Sequence, residues 1–183
     1  SGPLTRYVAL LRGVNVGGAN RLAMADLRAL VEGLGFERVE TFIQSGNVLF
    51  DAPGRVDPAR LEQALADRSG LAVDVLVRSS AQLAAVLDAN PFAGRDPATL
   101  HVAFLAQPLA ASVEAGLERD RFLPEEFALA AGELYLCLPK GMGRAKLPAY
   151  LGRALGVPMT VRNWRTVCRL AELSARPESG PGG

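Results

Sequence analysis

Two kinds of apolar periodicity alternate along this chain, in an order that occurs twice, and that order limits the folds open to it. Tyr7-Val8-Ala9-Leu10-Leu11 is a continuous apolar run of strand length. Beyond a glycine-rich loop, Met24, Leu27, Leu30, Val31 and Leu34 recur at helical spacing, and Gly35 supplies the stop. Val39 to Ile43 and Val48 to Phe50 are β-branched and aromatic runs. Between them lies Gln44-Ser45-Gly46-Asn47, whose glycine and asparagine tolerate the positive φ of a tight turn. Asp57-Pro58 opens a second helix, with the aspartate as cap and the proline in the first turn. Val73 to Val77 is the next strand. The sum is β-α-β-β-α-β, the split βαβ pattern of ferredoxin-like domains.

Ser79 or Ser80 caps a linking helix that ends at Asn90-Pro91, and the order then returns. Val102 to Leu105 reads as a strand, Ala110 to Leu117 as a helix, and Phe127 to Ala130 with Leu134 to Leu138 as a hairpin. A helix over Leu147 to Leu155 and a short strand around Met159-Thr160-Val161 complete the second unit. The expected fold is α+β, with duplicated ferredoxin-like βαββαβ units, antiparallel or mixed sheets and a C-terminal helix. Its parts are a first unit over 4–78, a linking helix and linker over 79–100, a second unit over 101–161, a terminal helix over 162–174 and a disordered tail over 175–183. Because the repeat is one of element order and not of residue identity, a single mixed-sheet α/β domain competes with it. A chain of 183 residues can bury a core without metals or disulfides.

The formal net charge of +1 hides an asymmetry. Lys140, Arg144, Lys146, Arg153, Arg162, Arg165 and Arg169 fall in a stretch without one acidic residue. A local field of that sign draws anions, although the whole protein is no polycation. There is no basic region followed by an apolar leader, and no apolar stretch approaches the length of a membrane span. Cys137 and Cys168 read as reduced core thiols. The expectation is a cytoplasmic protein with no membrane partner.

Familiar catalytic sets are missing. His101 is the single histidine, so a His-rich metal site is impossible, and neither metal nor cofactor is expected. The loop Arg12 to Arg21 lies between a strand and a helix, where glycines let backbone N–H groups approach an anion. It matches neither G-x-x-x-x-G-K-[ST] nor G-x-G-x-x-G, which excludes a standard P-loop and a Rossmann cofactor site. It is either a set of tight turns or a loop for an anionic or polar ligand using Arg12, Asn15, Gly17, Gly18, Asn20 and Arg21. Lys140-Gly141-Met142-Gly143-Arg144-Ala145-Lys146 is a second glycine-rich loop, a solvated basic turn or a phosphate cradle built on Lys140, Arg144 and Lys146. Arg162, Arg165 and Arg169 are spaced to share one face of a terminal helix, with Trp164 and Val167 on the other.

Four segments together resemble the signatures of the bacterial domain-of-unknown-function family 1697. They are Leu11 to Gly18, Ile43 to Val48, Lys140 to Leu147, and Arg162-Asn163-Trp164-Arg165-Thr166-Val167. The resemblance covers roughly residues 5–174 and implies a duplicated ferredoxin-like or related α+β fold, with no activity to transfer. Its signature positions include Gln44, Ser45, Asn47, Lys146, Asn163 and Arg165. The expected ligand carries phosphate, either nucleic acid as the leading class or a small phosphorylated metabolite held by an enzyme. The third alternative is a protein-interaction or structural module. Geometrically, the four motifs should either converge on one cleft or join in a structural network between the halves.

Overall fold

The computed structural model describes residues 3–16, 18, 20–43 and 45–177. The first unit runs β1 (Leu4–Leu11), α1 (Met24–Gly33), β2 (Glu37–Phe42), β3 (Asn47–Pro53), α2 (Pro58–Ser69) and β4 (Val75–Ser79), and α3 (Ser80–Asp88) follows it. The second runs β5 (Leu100–Leu105), α4 (Ala111–Ala115), β6 (Glu126–Ala130), β7 (Glu133–Cys137), α5 (Leu147–Ala154) and β8 (Met159–Asn163), and α6 (Trp164–Ala175) follows it. Among the described residues there are two four-stranded sheets, ordered β2-β3-β1-β4 and β6-β7-β5-β8, and every pairing is antiparallel. This is the duplicated ferredoxin-like arrangement. The tail expected to be disordered lies, over 178–183, outside the described residues.

The continuous apolar run of β1 follows from where its sheet lies. Ala9 and Leu11 pack with α1 and α2, while Val8 and Leu10 pack into a central layer with residues of α3 and α6 and of the other sheet. A strand buried on both faces cannot alternate apolar with polar. β5 behaves likewise, with Ala103 and Leu105 in an outer cluster beneath α5, and Val102 and Phe104 in the central layer. Local signals fix the helix starts. Asp57 accepts from the Ala59 N–H, and Ser79 and Gln82 form a reciprocal capping box. No helix among the described residues is long and apolar enough to cross a membrane.

Besides the apolar layer, an arginine ties the two units together. Arg78, on β4, donates from Nε to Glu133 Oε1 at 2.7 Å and from Nη2 to the Leu105 carbonyl. The other carboxylate oxygen of Glu133 accepts from the Leu105 N–H at 2.8 Å. The link therefore joins the last strand of the first unit to two strands of the second.

Candidate functional site

The glycine-rich loop after β1 is closed by its own polar side chains. Asn15, at φ 55°, donates from Nδ2 to the Leu22 carbonyl and accepts the Leu22 N–H on Oδ1, both at 2.8 Å. Asn20 donates to the Gly13 carbonyl, and Arg12 pairs with Asp74 at 3.2 Å in an exposed position. Asn15, Gly18 and Arg21 line an open cavity of 370 Å³ beside the start of α1. Arg21 is exposed and has no ion pair among the described residues. Gly17, also expected in this site, lies outside the described residues, as does Gln44 in the hairpin.

The hairpin closes against this loop. A Cβ on Gly46 would stand 2.5 Å from Val14 Cγ2 and 2.9 Å from Leu11 Cβ, and its φ is +86°, so glycine is required twice over. Asn47 is fully buried and donates to the Phe42 carbonyl and Ser45 Oγ. Its Oδ1 accepts from Arg162 Nε at 2.8 Å. Arg162 also donates to the carbonyls of Leu11, Ser45 and Val161 and to Thr160 Oγ1. Arg162 does not belong to the terminal helix, where spacing suggested it. It lies on β8, 7% exposed, and faces the first unit. No carboxylate among the described residues meets it, and burial pulls its pKa down to about 10. Arg162 thus joins three of the four motifs: the end of β1, the hairpin and the strand leading into α6.

The fourth motif lies apart from the 12–21 loop, but its Gly141 and Met142 share a cavity with Asn163 and Arg165. No hydrogen bond or ion pair among the described residues connects 140–146 to 12–21; the two line separate cavities. Lys140, Arg144 and Lys146, with Arg121, line a cleft of 270 Å³ whose other walls include Phe122, Leu123, Pro124 and Pro139. Arg121 is paired with Glu118, but Lys140, Arg144 and Lys146 are exposed and have no ion pair among the described residues. Glu125 is the one acid lining this cleft. Its oxygens accept the N–H groups of Lys146 and Leu147, which caps α5. Asn163 and Arg165 line a smaller cavity of 240 Å³ on the other side of Gly141, together with His101. Asn163 is the N-cap of α6, accepting the Thr166 N–H, and Trp164 packs at 6.5 Å from Tyr135.

Sequence reasoning passed over Arg121, Glu125, Arg162 and His101 as site residues. For Arg162 a signal existed: Met159, Val161 and Asn163 alternate with Thr160 and Arg162 at strand period.

The family model described as protein of unknown function (DUF1697) matches residues 4–135, so its match ends before the segments around Lys140 and Arg162. No curated protein matches this sequence. Among solved structures, the chain is similar to the conserved bacterial protein SP0830 from Streptococcus pneumoniae. The TM-score is 0.67 at 25% identity, covering 94% of this chain and 99% of that one.

Proposed function

We propose that this chain, which belongs to the DUF1697 family of proteins of unknown function, binds a phosphate-bearing ligand in the basic cleft beside the 139–146 loop. The observation that carries this reading is the charge imbalance of the cleft. Three cationic side chains without an ion pair among the described residues, and Arg121 paired with Glu118, line it against one carboxylate, and that carboxylate is turned toward the backbone of α5. Like charges gathered in a concave site raise one another's electrostatic cost until an anion neutralises them. Lysine and arginine together suit a phosphate, the guanidinium offering a fork and the ammonium a point charge.

The opposite wall narrows the ligand. Leu123 is 59% exposed and stands with Phe122 and two prolines, so the phosphate should carry an apolar or planar body. A nucleotide, free or at the end of a nucleic-acid strand, has both. The cleft is smaller than the roughly 300–1,000 Å³ of pockets for drug-sized ligands, which favours a mononucleotide-sized group. The two free cysteines fit a reducing compartment such as the cytoplasm, where such ligands occur.

Calorimetric titration with inorganic phosphate, nucleoside monophosphates and short single-stranded RNA tests this reading. We expect saturable binding of at least one nucleotide probe, weakened roughly tenfold or more in Arg144→Ala with Lys146→Ala. Stability should change by less than about 1 kcal/mol, since both side chains are exposed. Absence of saturable binding for all three probes would remove the proposal.

A further inference from the structure

The smaller cavity beyond Gly141 has a composition of its own. His101 is the second residue of β5, on the strand face it shares with Ala103 and Leu105, and so toward the outer side of the second sheet. It is 8% exposed, and its Nδ1 is buried with no hydrogen-bond partner. The Thr99 backbone lies near enough to favour the protonated ring. That carbonyl also accepts the Leu138 N–H at 2.7 Å, and its approach to the ring falls short of hydrogen-bond geometry at Nδ1. Burial outweighs it and holds the imidazole below its ordinary pKa, so the ring is neutral at pH 7. Buried polar groups in folded proteins are nearly always partnered, so an idle imidazole beside a cavity calls for an explanation.

The rim supplies one. Arg165, exposed and with no ion pair among the described residues, lines the same cavity at the start of α6. α6 is twelve residues long, and the positive end of its dipole lies at this point. Pro97, Ala98 and the 42%-exposed Met142 complete the lining with apolar surface. The cavity has a cationic rim, a neutral hydrogen-bonding imidazole and an apolar wall.

We propose that this cavity is a separate site for a small oxyanion-bearing molecule, a carboxylate or a phosphate. Arg165 and the start of α6 hold the oxyanion, and His101 hydrogen-bonds to the bound molecule from the floor. At 240 Å³ the space admits a small molecule and excludes a nucleic-acid duplex. The basic cleft shares with it only the Gly141 wall, so the two sites fail or succeed separately.

The test uses the fact that His101 is the only histidine in the chain. Its imidazole signals in an NMR spectrum of the tag-free protein are therefore unambiguous. The protein is titrated with propionate and, separately, with inorganic phosphate at constant ionic strength. We expect a saturable shift of the His101 signals, and the probe that saturates at lower concentration identifies the oxyanion. Arg165→Ala should raise the apparent Kd roughly tenfold or more. Arg169→Ala, an equal loss of charge further along α6, and Arg144→Ala, in the basic cleft, should leave it unchanged. A shift that stays linear for both probes overturns the proposal, as does one insensitive to Arg165→Ala. A shift abolished by Arg144→Ala assigns the binding to the basic cleft and overturns this second site alone.

Discussion

Arg78 and Arg162 occupy matching places in the two units. Each lies on the fourth strand of its unit, one residue before the side chain that caps the following helix, Ser79 or Asn163. Each reaches into the other unit and donates from Nη2 to the carbonyl ending that unit's first strand, Leu105 or Leu11. Each donates from Nε to the residue that opens that unit's third strand. At that point the symmetry breaks, because one partner is Glu133 and the other is Asn47. The second head atom explains the difference. At Glu133 it faces the Leu105 N–H and must accept; at Asn47 it faces the Phe42 carbonyl and must donate. One link is consequently an ion pair, and the other is a buried guanidinium among neutral acceptors. Residue choice at a duplicated position follows the neighbour that the duplication did not preserve.

The largest effect should come from breaking the ionic link. Glu133→Ala leaves Arg78, whose side chain is 15% exposed, without its countercharge and the Leu105 N–H without an acceptor. A loss of about 3–5 kcal/mol in urea unfolding is expected. A loss below about 1 kcal/mol would show that the link does not hold the units together. Asn47→Asp sharpens the comparison, because it gives Arg162 the carboxylate that Arg78 already has. It also sets an oxygen against the Phe42 carbonyl, which lies 3.0 Å from Asn47 Nδ2, and removes the donation to Ser45. We expect a net loss of about 1–3 kcal/mol. A gain in stability would mean that charge compensation, and not the second head atom, governs this position.

Local signals made much of the fold legible and little of the site. The Asp57-Pro58 start, the Ser79 cap and the 42–47 hairpin each rest on residues within one turn of each other, and each forms as its sequence suggests. Arg162 carried a strand signal that a competing helical spacing masked, for a physical reason. β8 runs into α6 without a loop, and Asn163 both ends the strand and caps the helix, so Arg162 falls into helical spacing with Arg165 and Arg169. Its burial depends on the first unit, more than a hundred residues away in sequence. His101 was hidden by the same kind of cause. A lone histidine at the head of an apolar strand reads as core, and only the approach of the 141–142 turn and the start of α6 gives it a cavity.

The smallest effect concerns pH, and it contrasts Glu133 with a carboxylate that meets two arginines. Asp51, 4% exposed, accepts from Arg38 Nε at 2.6 Å and from Arg6 Nη1 at 3.0 Å. Burial pushes its carboxyl up, but the two guanidinium groups together outweigh burial and hold it below its ordinary pKa of 3.8. Glu133 meets Arg78 alone, burial prevails, and its carboxyl is held above its ordinary 4.5. The two therefore act on acid stability with opposite signs. Asp51 contributes stability that is present above about pH 4 and is lost as pH falls through its depressed folded pKa. Glu133 takes up its proton more readily folded than unfolded, so its contribution grows as pH falls through its raised folded pKa toward 4.5. Urea midpoints from pH 7 to pH 3 for the wild type, Asp51→Asn and Glu133→Gln resolve this. Relative to its own value at pH 7, Asp51→Asn should lose less stability in acid than the wild type, and Glu133→Gln should lose more. Parallel curves for the two variants, or the reverse order, would show that the number of facing arginines does not set the sign.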